Sequence, residues 1–167
     1  MKCKTLLVAC LFGLGSVQAL AVSKLPPQIP VHAGSGRVTL DLRPLLAETN
    51  DVEITRVSVC RRVGSHCQET LWRIELPPGW RAGEIEVFGD YPGSSVLLRR
   101  PERLQPDGSY NAFIHFNERS RRHRQTVSSI AVEFCLAGEP GNWMLLDEAT
   151  CLARRNAEER KERSHER

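Results

Sequence analysis

From Arg37 onward the chain is dominated by runs in which apolar and polar residues alternate. Val38, Leu40 and Leu42 alternate with Arg37, Thr39 and Asp41. Trp72, Ile74 and Leu76 alternate with Arg73 and Glu75, and Ile85 and Val87 alternate with Glu84 and Glu86. A period of two sends successive side chains to opposite faces, so each run predicts a strand with one buried face. Val52 and Ile54 begin another run that Val57 and Val59 continue in the opposite phase. Such a slip predicts a β-bulge near Thr55 and Arg56. Residues 96–98, 112–116 and 127–136 supply further strands.

Turn signals lie between these runs: Pro77, Pro78 and Gly79; Gly89, Asp90, Pro92 and Gly93; Pro106, Asp107 and Gly108. Proline presets φ and glycine supplies positive φ, so these segments reverse the chain. No helical period interrupts the series. The expected fold is all-β, an antiparallel sandwich or barrel of about seven or eight short strands. Gly138, Pro140 and Gly141 turn the chain into a last short strand at residues 143–146.

The two ends break the pattern in different ways. Met1 to Lys4 carry positive charge, residues 5–15 are apolar and uncharged, and Ala19 and Ala21 offer small residues at the −3 and −1 positions of a cleavage site. This predicts a signal peptide over residues 1–21, cut after Ala21 or, alternatively, after Ala19. The apolar stretch falls well short of the ~20 residues that span a bilayer, so no transmembrane segment is expected. Leu7, Val8, Ala9 and Cys10 resemble a lipobox, but cutting there leaves too little apolar sequence for export. Residues 22–36 read as an extended, Pro- and Gly-punctuated lead-in, with Gly34, Ser35 and Gly36 as a flexible tripeptide. Residues 37–151 form the β domain. At the other end Asp147 is a helix N-cap, and residues 152–167 are a charged helical or disordered tail with no apolar stripe to dock it.

Loss of the leader removes Lys2 and Lys4 and lowers the net charge from +3 to +1. A general nucleic-acid binder is far more basic, so that class is set aside. Four cysteines remain, Cys60, Cys67, Cys135 and Cys151. An even number in an exported chain predicts disulfides. Pairing Cys60 with Cys67 and Cys135 with Cys151 closes short loops worth roughly 2.5 and 3 kcal/mol. The spacing of Cys60, Trp72 and Cys135 also approximates the core of an immunoglobulin domain, which would join Cys60 to Cys135. Two features count against that pairing. Glu133 occupies the position of the corner tyrosine, and Cys135 faces away from Ile130, Val132, Phe134 and Leu136. The local pairs are preferred.

Candidate chemistry is sparse. Cys60, His66 and Cys67 miss the spacing of structural zinc, and neither a metal nor a cofactor is expected. No nucleophile elbow, zinc-protease helix, phosphate loop or dinucleotide fingerprint occurs. His115 with Glu118 is the one candidate catalytic pair, with Ser128 and Ser129 placed across the hairpin from it. Arg119, Arg121, Arg122 and Arg124 cluster where two strands join, and clustered guanidiniums suit an anionic partner. Trp80, Tyr91 and Tyr110, in or beside turns, are read as packing residues.

Three functions follow in order. The first is a non-enzymatic binding or accessory module, periplasmic or secreted, contacting a protein or an anionic cell-envelope component through the Arg-rich loop. The second is a small cell-wall or carbohydrate hydrolase using His115 and Glu118. The third is a subunit of a surface fibre or secretion assembly that adds a strand to a sheet edge.

Overall fold

The computed structural model describes residues 27–165, except 49–51, 65, 101–103, 120–124 and 140. The leader expected over residues 1–21 lies outside the described residues. The described chain is mostly β, two antiparallel sheets packed as a sandwich with a C-terminal helix. The smaller sheet holds β1 (Val31–Gly34), β2 (Arg37–Asp41) and β5 (Glu84–Glu86) in the order β1-β2-β5. The larger holds β3 (Val52–Val63), β4 (His66–Glu75), β6 (Ser95–Arg99), β7 (Ser109–Arg119), β8 (Gln125–Glu139) and β9 (Asn142–Leu145), in the order β6-β4-β3-β7-β8-β9.

The alternation seen in the sequence sorts the core. Val38, Leu40 and Ile85 of the small sheet meet Ile54, Val57, Val59, Trp72, Ile74, Ala112 and Ile114 of the large one, all at most 1% exposed. Trp72 and Phe88 pack in a tilted arrangement with ring centroids 6.1 Å apart. The phase slip in β3 is a bulge: Ile54 pairs with Phe116 and Arg56 with His115, leaving Thr55 without a partner in β7. Thr55 instead donates its hydroxyl hydrogen bond to the His115 carbonyl at 3.3 Å.

Three local features add detail to the expectation. The lead-in ends in β1, paired with β2 from Val31–Leu40 to Gly34–Arg37. Gly34, Ser35 and Gly36 are therefore the tight end of a hairpin; Ser35 and Gly36 both have positive φ, 47° and 75°, as a two-residue turn of this hand requires. A helix absent from the expectation, α1 (Arg43–Glu48), follows β2 and closes one end of the core with Leu42 and Leu45. It is too short to display a helical period. Asp41 starts it by accepting hydrogen bonds from the Arg43 backbone N–H at 3.0 Å and from its guanidinium at 2.8 and 2.7 Å. Those bonds hold the Asp41 carboxyl at about 2, below its ordinary range.

The third feature concerns the C-terminal helix, which the sequence anticipates. Helix α2 (Glu148–His165) is continuous across residue 152 and is fastened to the sheet by covalent and polar links. Asp147 caps it by accepting from the Thr150 N–H at 2.9 Å. The sulfurs are joined as Cys60–Cys67 and Cys135–Cys151, with Cα separations of 5.8 and 5.5 Å. Cys135 does face away from the sandwich core, yet it is fully buried, because the first turns of α2 cover it. Arg154 adds a hydrogen bond to the Leu136 carbonyl at 2.9 Å and an ion pair to Asp107 at 3.1 Å.

Candidate functional site

Over β4, β3 and β7 the inner face of the large sheet is taken up by the core, so surface chemistry on those strands can be built on the outer face. Register fixes which residues share that face. One row runs Leu98, Arg73, Ser58, Phe113, Ala131 across β6, β4, β3, β7 and β8. The next runs Ser95, Glu75, Arg56, His115, Ser129. A third, nearer α2, includes Thr70, Cys60, Asn111 and Glu133.

The row under α2 is bridged by one carboxylate shared between two arginines, although the buried Arg62 Nε, like that of Arg56, has no hydrogen-bond partner among the described residues. Arg62, 7% exposed, pairs with Glu133, and Arg155 of α2 pairs with the second oxygen of the same carboxylate. Arg62 also donates to the Asn111 side-chain oxygen and the Gly64 carbonyl, each at 3.3 Å. Burial lowers the pKa of both arginines, and for Arg155 the neighbouring Arg62 charge adds to the effect.

The other two rows are left open. Arg56 pairs with Glu75 at 2.8 Å, but its buried Nε has no hydrogen-bond partner among the described residues. Arg73 has no ion pair or hydrogen bond among the described residues. His115 is half-buried, and burial, then the charges of Arg56 and Arg73, lower its pKa. Phe113 and Leu98 are partly buried here yet stand outside the hydrophobic core.

The sequence candidates fall into place unevenly. Ser129 lies directly across the β7–β8 ladder from His115. Glu118 does not join them. It is three positions from His115 in an unbroken β7 register, and that odd spacing puts the two side chains on opposite faces of the sheet. Glu118 pairs in register with the buried Val52 and so sits toward the sandwich interior. Arg119 ends β7 opposite Gln125, while Arg121, Arg122 and Arg124 lie outside the described residues. The turn aromatics pack: Trp80 meets Tyr91 edge-on at 6.0 Å, and Tyr110 stacks on Phe134 at 5.4 Å. Among the described residues no group of His, Cys, Asp and Glu could hold a metal ion, and no helix is long and apolar enough to cross a membrane.

The chain is 99% identical, over 160 residues, to the type VI lipase immunity protein Tli3 of Pseudomonas aeruginosa strain PAO1; the match covers 96% of this chain and 97% of that protein. The chain belongs to the Tli3 lipase immunity family. No family model matches it, and no solved structure does. A bacterial immunity family agrees with the accessory-module expectation.

Arg56, Arg73 and Phe113 are the residues that sequence reasoning passed over in the Tli3-family chain. Each looks, along its own strand, like an ordinary outward residue. Only the strand order β4-β3-β7 makes them neighbours. The one available signal was Phe113 standing out of phase with Ala112 and Ile114.

Proposed function

We propose that this chain is an exported immunity protein that protects its producer by binding a lipase delivered by type VI secretion and holding it inactive. One observation carries the reading: 99% identity to a lipase immunity protein along nearly the full length of both chains. The leader pattern over residues 1–21 supports removal after Ala21 and action in the periplasm. Two disulfides suit an oxidising compartment of that kind. The Arg-rich link between β7 and β8, with Arg119, Arg121, Arg122 and Arg124, is proposed to add electrostatic attraction to the encounter with an anionic surface of the partner.

The test is a protection assay. Cells that direct a type VI lipase to their own periplasm are made to express either the full chain or a version beginning at Val22. Survival with the full chain and death with the leaderless one are expected. Death in both cases would remove the immunity reading, and equal survival would remove the periplasmic site of action. Mass measurement of the protein recovered from the surviving cells should find Val22 as its first residue.

A further inference from the structure

The outer face of the large sheet divides into a part that α2 covers and a part that nothing described covers. In the covered part every buried cation meets a carboxylate. The bare rows combine a guanidinium, Arg73, without a carboxylate partner among the described residues and an aromatic ring, Phe113, that stands outside the core. Solvated sheet faces are ordinarily lined by small polar and well-paired charged residues. Aromatic and arginine side chains gathered at one spot are instead the composition of an interface centre.

We infer that the two open rows, centred on Arg56, Arg73, Phe113 and Ala131, form the surface on which the lipase docks, through an acidic patch of the lipase that surrounds an apolar contact. The inference rests on the immunity reading and adds the place and the chemistry of the contact. Charge complementarity selects the acidic occupant. Glu75 is the single carboxylate in these rows, and it is already engaged by Arg56 at 2.8 Å. An incoming carboxylate would give Arg73 its missing partner, and the same approach would cover Phe113 and Ala131. Ala131 and Ser129 are exposed, so the face can be reached along the β8 side without moving any element. A rigid, preformed sheet surface holds these groups in place before contact, which lowers the ordering cost of association.

The experiment measures binding of the oxidised mature protein to a catalytically inactivated type VI lipase, by calorimetry. The R73E/A131E variant reverses the free charge and places a second carboxylate at the row centre. Its affinity is expected to fall about 30-fold or more, the scale of a lost hot spot. K161E/R163E on the far end of α2 and V96S/L97S on the β6 edge should bind as the wild type does. Should R73E/A131E fold poorly, S129E alone, at an exposed site, is expected to weaken binding in the same direction. Full affinity in folded R73E/A131E or S129E overturns the assignment, as does loss confined to V96S/L97S. If the wild-type protein is a dimer that R73E/A131E dissociates, the occupant is a second copy and the lipase assignment is overturned. Absence of binding by the wild type itself sinks the immunity reading, and the docking surface with it.

Discussion

Arg62 and Arg73 reach the same outer face of one sheet, from adjacent strands, and differ in cover and in carboxylate partner. Arg62 is 7% exposed and is held by Glu133, Asn111 and the Gly64 carbonyl beneath a disulfide-pinned helix. Arg73 is half-exposed and bonds to nothing described. A cation taken out of water without a partner is costly, so a folded chain buries one only where a carboxylate waits. The covered half of the face supplies that carboxylate within the chain, as Glu133. The open half shows cations and a ring left at the border of water, which is where an intermolecular partner would complete the set.

The strongest way to break this contrast is to lift the cover. Replacing both cysteines in C135S/C151S opens a 16-residue separation and should cost about 3 kcal/mol in urea unfolding. It should also uncover the row beneath α2. Next in size is E133Q, which leaves Arg62 and Arg155 facing each other. The expected loss is about 2 kcal/mol, below the value for a fully buried pair because Glu133 is 45% exposed. Its signature is specific: adding R155Q should recover part of that loss, since one of the two opposed charges is removed.

By contrast R73Q, on the open half, should change stability by no more than about 0.5 kcal/mol. Its effect belongs to partner affinity and to the salt dependence of that affinity, which should flatten as one screened attraction disappears. Smallest is a pH effect at His115. Burial and the charges of Arg56 and Arg73 disfavour its imidazolium in the folded state, so the unfolded chain takes up the proton first as pH falls. Stability present above the ordinary value of 6.5 is therefore lost as pH drops through it toward the lower folded value. H115Q should show a shallower loss between about pH 7 and pH 5 in parallel urea titrations.

Much of the fold could be read from the pattern because strands bury one face and the sequence writes that face with period two. The bulge at Thr55 was visible as a phase slip, and the cap at Asp147 as an acid ahead of a helix-forming run. Elements too short to show a period were not visible. Four residues of β1 and six of α1 owe their form to neighbours: the Gly34–Arg37 turn pairs β1 with β2, and the core end calls for Leu42 and Leu45. The C-terminal helix was legible, but its fastening was not, for another reason. α2 carries no apolar stripe and is held instead by Cys151, Arg154 and Arg155, through one disulfide and a few polar links.

The candidate site was less legible still. Arg56, Arg73 and Phe113 become neighbours only through pairing across β4, β3 and β7, and a chain read in one dimension carries no record of strand order. The pairing of His115 with Glu118 failed on a simpler count, since residues an odd number apart in a regular strand face opposite ways. The Arg-rich link drew notice because its residues are contiguous. The open rows, dispersed in sequence, hold the better geometric case for a contact surface.

The most direct measurement is hydrogen–deuterium exchange of the oxidised mature protein, alone and with the inactivated lipase. Binding should slow exchange in β4 around Arg73, in β7 around Phe113 and His115, and along the exposed edge of β8 at Ser129 and Ala131, while the distal half of α2 exchanges as before. Slowed exchange confined to the small sheet, to the β6 edge or to distal α2, with Ser129 and Ala131 unchanged in a saturated complex, would contradict the account.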